Sequence, residues 1–186
     1  SIAKNLGNGH TCYERRAPWG RPIGEWVPSW GEEAKREVEL SRQRLVERLG
    51  EERAKKIAEI SVNLVIFPNL AINDIMSLTI RTWDPVTPDY MNVNVWCLGP
   101  KEESEKLRAI RIYNFLEFLG PAGFASPDDN EALELCQEGY SNNEEVLWND
   151  ISKGFFKELK GETPTHMQEH QMRTMWMRWN ELMLSD

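Results

Sequence analysis

Alternating and periodic apolar positions divide the chain into a β-rich first part and a helical second part. Residues 4 to 15 read as a strand broken by glycines, and Arg16 to Trp30 as a Pro-, Gly- and Trp-rich loop expected to cross the mouth of a pocket. Ser29 and Glu32 have the spacing of a capping box. Beyond them Ala34, Val38, Leu45 and Leu49 recur at helical intervals until Gly50 ends the element. A shorter helical piece, Glu51 to Glu59, leads into the β-rich run Ile60 to Phe67. Ile75 to Trp83 and Met91 to Leu98 read as two more strands, joined by Asp84-Pro85-Val86-Thr87-Pro88-Asp89. Successive strands of this kind predict an antiparallel sheet.

Helical spacing then takes over. Glu102 to Leu119 sets Leu107, Ile110, Ile112, Phe115 and Leu119 largely on one side, and Pro127 to Glu138 carries Leu133 and Leu135. Asn142 to Asp150 is polar, a loop or short helix, and His166 to Leu184 reads as one long Met- and Trp-bearing helix. These helices are expected to cover the sheet, which gives an α+β fold. In the last helix Met172, Met175, Trp176, Trp179 and Met183 follow the helical repeat and read as core packing.

Composition narrows the class. The 186 residues, 40% hydrophobic and with eight Trp, suffice for one domain with a core of its own. A net charge of −8 lacks the clustered cations that meet phosphates, so nucleic acid is not an expected partner. No apolar run approaches the roughly 20 residues of a membrane span, and the polar N-terminus has no signal-peptide core. Three scattered cysteines, Cys12, Cys97 and Cys136, suit a reducing compartment, and the expected location is the cytoplasm.

The segment Gly120-Pro121-Ala122-Gly123-Phe124-Ala125-Ser126-Pro127-Asp128-Asp129 combines a stiff turn with a helix start. Ser126 is placed to cap, Pro127 to occupy the first helical position, and Asp128 and Asp129 to fall in the first turn, where free amides favour negative charge. Helix capping and divalent-metal ligation are both open to these carboxylates.

The same segment, Phe118-Leu119-Gly120-Pro121-Ala122-Gly123-Phe124 followed by Asp128-Asp129-Asn130-Glu131, resembles the carboxylate-ligand region of Rieske non-haem iron ring-hydroxylating oxygenase large subunits. Leu6-Gly7-Asn8-Gly9-His10, Asn63 to Asn69 and Ile80 to Pro85 resemble three strands of that family in matching order. The resemblance implies a helix-grip (Bet v1-like) architecture with a cavity between sheet and helix. It also implies a mononuclear Fe(II) held by Asp129 and two histidines, with open positions for dioxygen beside an aromatic substrate. Asp128 would hold the ligand turn. Tyr13, Ser61, Asn63, Ile75, Met76, Leu119 and Ala125 match or neighbour the family's substrate-pocket positions, and the small Ala125 would leave extra room near the iron. Electrons would come from NAD(P)H through a ferredoxin or reductase and the Rieske 2Fe–2S cluster of a neighbouring large subunit. The typical product is a cis-dihydrodiol, and the expected assembly is a homotrimer, with or without a β subunit.

The chain also departs from the family. None of its cysteines forms the Cys-x-His pairing of a Rieske centre, and the family's two iron-binding histidines lie upstream of the Gly-Asn-Gly strand. Residues 1–186 are therefore expected to be the C-terminal part of the catalytic domain, incomplete at the N-terminus and inactive alone. His10 lies on a strand and is not assigned to iron. Asn63, polar on an apolar strand, needs a hydrogen-bond partner and serves either the pocket or the strand. His166-Met167-Gln168-Glu169-His170 fits the H-x-x-E-H zinc-peptidase pattern but lacks a downstream helix for a third ligand, so a solvent-facing pair is expected. The reading from a different functional class is a metal-free helix-grip module that encloses an apolar small ligand.

Overall fold

The computed structural model describes residues 1–18 and 20–185. Residues 4 to 15 are two strands rather than one. β1 (Ile2–Gly7) and β2 (His10–Arg16) are joined by Asn8 and Gly9, both left-handed at φ 51° and 80°. That is the two-residue turn whose twist matches paired strands, and Asn-Gly is the pair best suited to it.

The chain then leaves the sheet through a loop and a 3-10 turn at Pro28–Trp30 into α1 (Gly31–Leu49) and α2 (Glu51–Glu59). It returns as β3 (Ile60–Ile66), β4 (Leu70–Ile75), β5 (Ser77–Thr87) and β6 (Tyr90–Leu98). The six strands form one antiparallel sheet in chain order. α3 (Glu105–Leu119), α4 (Ser126–Ser141), the short α5 (Phe155–Leu159) and α6 (His170–Leu184) follow. The α+β class expected from the alternation is the one observed, an antiparallel sheet flanked by helices.

Several local expectations change. The strand expected over Ile75 to Trp83 is interrupted at Met76, whose φ of 58° makes the tight β4–β5 connection. Asn73 and Asp74, residue types that favour turns, lie inside β4, where pairing with β3 and β5 overrides local preference. Ser29 does not cap α1, because Pro28–Trp30 closes its own turn first and leaves Trp30 at the cap without a side-chain bond. Ser104 does cap α3, its Oγ accepting from the Leu107 amide at 3.2 Å. α6 begins at His170, four residues later than expected.

Packing is uneven. Ala34 and Val38 of α1 meet Leu107 and Ile110 of α3 in a small helical core, flanked by Trp26 and Trp30. α6 lies over β1 and β2, and α2 and α3 touch β3 and β5. α4 does not cover the sheet as expected: it buries none of its residues, and neither does β6, which exposes Tyr90, Val93, Val95 and Trp96. The accessible surface is 13040 Å², against roughly 9200 Å² for a compact monomer of this mass.

The loop after β2 serves packing rather than the pocket mouth. Arg21, 3% exposed, donates to the carbonyls of Ile60 (3.0 Å) and Ala58 (2.9 Å), to that of Ile57, and to Asp74 Oδ2 (2.7 Å). It thereby ties the end of α2 to β4. Trp19, within the same loop, lies outside the described residues.

Across β1 and β2, Glu14 Oε1 accepts from Lys4 Nζ at 2.8 Å and meets Lys56 Nζ at 3.5 Å. The Lys4 hydrogen bond, with charge from both lysines, holds the Glu14 carboxyl below its ordinary value. A carboxylate lowered in the folded state contributes stability that is complete above its unfolded value, about 4.3, and is lost as pH falls through the folded one. Glu14→Gln is expected to cost about 0.5 kcal/mol at neutral pH. In urea unfolding the gap to the unaltered protein narrows as pH falls below about 4.3. A gap constant with pH would show that the pair does not carry it.

Candidate functional site

Register builds the site. Tyr13 pairs with Asn63, Asn63 with Asn73 and Asn73 with Thr79; one row over, Thr11 pairs with Val65, Val65 with Ala71 and Ala71 with Arg81. The two-residue strand period turns all these side chains to one face. Across that face α6 lays Gln171, Met172 and Met175, and Trp83 continues the β5 wall. The cavity between them is open on one side and holds about 310 Å³, near the lower end of small-molecule sites.

The walls are mostly apolar, with a few polar groups among them. Asn63 Nδ2 donates to the Tyr13 hydroxyl, which satisfies the polar residue on this strand and places both in the cavity wall. The Tyr13 ring stacks on His166 at 5.8 Å between centroids. Thr79 Oγ1 donates to the Asn73 carbonyl at 3.3 Å. Asn73 Oδ1 and Arg81 Nε are buried and have no hydrogen-bond partner among the described residues.

At the turn before α4, Phe124 N donates to the Glu117 carbonyl (2.7 Å) and Ala125 N to that of Phe118 (2.9 Å), folding the glycine-rich corner back on α3. Ser126 is not the cap expected from its position. It is the first residue of α4, and its Oγ donates to the Leu119 carbonyl at 2.9 Å, while Ala125 holds the cap position without a side-chain bond. Asp128 and Asp129 do fall in the first turn. Asp129 Oδ2 stands 4.0 Å from Arg81 Nη1, with the two side chains 60% and 20% exposed.

Of the residues singled out in the sequence, Tyr13 and Asn63 line the cavity. Ser61 is buried on the same face, opposite Arg15, and Ile75 is buried at the end of β4, two residues beyond Asn73. Met76 sits at the β4–β5 connection against Gly20. Leu119 is buried at the end of α3, Ala125 is half-buried, and Asp128 is exposed. None of these six is in the cavity lining, and Asp129 approaches it through Arg81. Asn73, Arg81 and Trp83 were missed, although Arg81 and Trp83 stand two apart on β5. Met172 and Met175 roof the cavity rather than fill a core, and Trp176 and Trp179 stay 44% and 46% exposed, edge to face with each other.

The histidines are engaged separately. His10 Nδ1 accepts from the Phe67 amide at 3.0 Å. His170 Nδ1 contacts Glu158 Oε2 at 2.8 Å, and Glu158 also pairs with Arg173. His166 lies before the helix, against Ser1 and Tyr13. His166 and His170 are thus not the solvent-facing pair expected. Among the described residues no group of three His, Cys, Asp or Glu could hold a metal ion. The donors present do not fit a complete mononuclear iron site; Asp129 offers one carboxylate. Among the described residues, too, no helix is long and apolar enough to cross a membrane.

Comparison with known proteins agrees with this architecture. The family described as ring hydroxylating alpha subunit (catalytic domain) matches residues 8–185. The chain is 39% identical over 119 residues to the 2-halobenzoate 1,2-dioxygenase large subunit of Burkholderia cepacia, covering 64% of this chain and 25% of that protein. It is 34% identical over 125 residues to the toluate 1,2-dioxygenase subunit alpha of Pseudomonas putida, covering 67% and 27%. The chain thus spans about a quarter of the length of these curated relatives. Among solved structures, naphthalene 1,2-dioxygenase from Rhodococcus sp., bound to indole, superposes with a TM-score of 0.72 at 22% identity, covering 99% of this chain and 45% of that one. This likeness speaks for the fold. With a family match over nearly the whole length and a shared sheet-and-helix frame, the chain belongs to the catalytic-domain family of ring-hydroxylating alpha subunits.

Proposed function

We propose that this chain forms the C-terminal part of the catalytic domain of an aromatic ring-hydroxylating dioxygenase alpha subunit, with Asp129 as the carboxylate ligand of a mononuclear Fe(II). The observation that supports the reading is that Asp129, in the first turn of α4, stands 4.0 Å from Arg81, which belongs to the wall of the cavity under α6. Two imidazoles from outside these residues would complete the iron site. The iron, when bound, supplies the site for dioxygen. The part played by this chain is to hold the ring between Tyr13, Trp83 and the methionines of α6 and to keep water out. α6 over the cavity-bearing face of the sheet supports a helix-grip architecture.

The two relatives named above, at 39% and 34% identity, are named for substituted benzoates, 2-halobenzoate and toluate, whereas others at 25–26% identity are named for naphthalene. Carried to this chain, the benzoate names make a monocyclic aromatic carboxylate the favoured substrate and cis-dihydroxylation the favoured reaction. Electrons would pass from NAD(P)H through a ferredoxin or reductase and a Rieske 2Fe–2S cluster. The exposed apolar face of β6 and the large accessible surface support assembly with further subunits, a homotrimer with or without a β subunit.

The test supplies the iron-loaded intact protein with NADH, a matched reductase and benzoate, and measures dioxygen uptake and diol formation. Coupled uptake and a cis-diol are expected. Binding of aromatics with no oxidation, under a demonstrated electron supply, would favour the metal-free binding module instead.

A further inference from the structure

We propose that Arg173 is a positioning residue that sets the height of the cavity roof, so that the size of ring the cavity accepts is fixed from outside it; the aromatic ligand rests on the functional reading above. The roof is α6, which lays Gln171, Met172 and Met175 over the sheet. Apolar packing holds this helix only loosely. Among the described residues α6 buries just Thr174, and its Trp176 and Trp179 stay exposed. Its C-terminal half rests on the first hairpin, where a Cβ added at Gly9 would stand 2.9 Å from the side chains of Arg178 and Phe67. The half that covers the cavity is tied elsewhere.

That tie is the segment 151–159, which ends in α5. Arg173, its side chain 13% exposed, donates to the carbonyls of Ile151 and Lys153, the second at 3.1 Å, and to the Glu158 carboxylate. Its guanidinium stands 5.7 Å from the centre of the Phe155 ring. Glu158 also meets His170 Nδ1 at 2.8 Å. Glu169 adds a two-way pair with Lys153: its Oε2 accepts from the Lys153 amide at 2.9 Å, and its own amide donates to the Lys153 carbonyl at 3.1 Å. Phe156 and Leu159 are exposed, so polar contacts rather than apolar burial hold this strap to α6.

Helix geometry gives the strap its leverage. At about 3.6 residues per turn, Glu169, His170 and Arg173 fall on the side of α6 opposite Gln171, Met172 and Met175. The strap therefore grips the roof from behind, and a roof released there can rise from the sheet. A gap of about 1 Å forfeits up to about half of a dispersion contact, so a single ring would lose its hold on Met172 and Met175. A wider ring system would fill the added space.

The experiment measures dissociation constants of benzoate and 2-naphthoate, which share a carboxylate and differ in ring size, by calorimetry on the intact protein and on Arg173→Met, Arg173→Lys and Gly154→Ala. Gly154 is left-handed at φ 85°, and a Cβ there would stand 2.7 Å from the Gln168 side chain, so Gly154→Ala strains the strap away from α6 without removing a charge. Arg173→Met and Gly154→Ala are each expected to weaken benzoate about tenfold and to change 2-naphthoate by less than about threefold. Arg173→Lys, which keeps the charge beside Glu158, should fall in between. Equal weakening of both acids in a folded Arg173→Met protein overturns the assignment. So does an unchanged ratio in Gly154→Ala, a criterion that holds even if Arg173→Met folds poorly. Ring oxidation with that ratio unchanged would refute the role of Arg173 and leave the functional reading intact. A shifted ratio with no ring oxidation would do the reverse.

Discussion

Replacing Asp129 with alanine in the intact protein is expected to abolish ring hydroxylation, with turnover falling by about a thousandfold or more, equivalent to about 4 kcal/mol of barrier. Bound iron should fall in parallel, because the variant removes the only oxygen ligand assigned to the metal. The neighbouring Asp128 serves as the control. It shares the first turn of α4, but its side chain is exposed and makes no hydrogen bond to a described residue, so Asp128→Ala should lower turnover no more than about tenfold. Iron analysis alongside diol formation separates the two. An Asp129→Ala protein that keeps its iron and its turnover would remove this residue from the metal site. Asn at position 129 is an informative third variant: it keeps size and one oxygen but not the charge that faces Arg81.

Arg21→Met is expected to destabilise the fold by about 2–4 kcal/mol, since it leaves a half-buried carboxylate and several carbonyls without their donor. The guanidinium meets the last carbonyls of α2, where the helix dipole favours a cation, and reaches across to Asp74 on β4. Burial pushes Arg21 down from its ordinary value and Asp74 up, each opposed by the charge of the other. With Arg21 gone, the Asp74 carboxyl loses that opposition and should rise further. Asp74→Asn on the Arg21→Met background should therefore recover part of the loss, about 1–3 kcal/mol of coupling. Urea unfolding of the two single variants and the double variant measures this. A loss below about 1 kcal/mol for Arg21→Met would place Arg21 among ordinary surface contacts.

The sequence carried some levels of this structure better than others. Helical periodicity located α1, α2 and α3 within a few residues because each buries one face or ends at a glycine. Asn8-Gly9 is itself a hairpin signal, and the glycines around it, which also break strands, make residues 4 to 15 resemble one interrupted strand. β4 was lost because Asn73 and Asp74 look like turn residues until strands on both sides pair with them. The cavity was legible where a polar residue stood out on an apolar strand, as Asn63 did, and the resemblance to a known family singled out the segment that carries Asp129. Arg81 was hidden because a cation in a strand looks solvated until the facing elements are known, and α6 is what turns that strand face into a wall. Ser126 shows the limit of local rules. Its position suits a cap, but the fold-back onto α3 offers its hydroxyl the Leu119 carbonyl instead.

Strand order has a consequence for how the pocket comes into being. Every other pairing in the sheet joins segments separated by a short turn, whereas β2 must find β3 across the helical excursion between Arg16 and Ile60. Closing that long segment carries the largest entropic cost in assembling the sheet. The first hairpin and the four-stranded meander can therefore form independently, and they meet along the row where Tyr13 pairs with Asn63 and Thr11 with Val65. The junction runs through the floor of the cavity, so that floor is completed when the two halves dock rather than within either one, and α6 then closes over it.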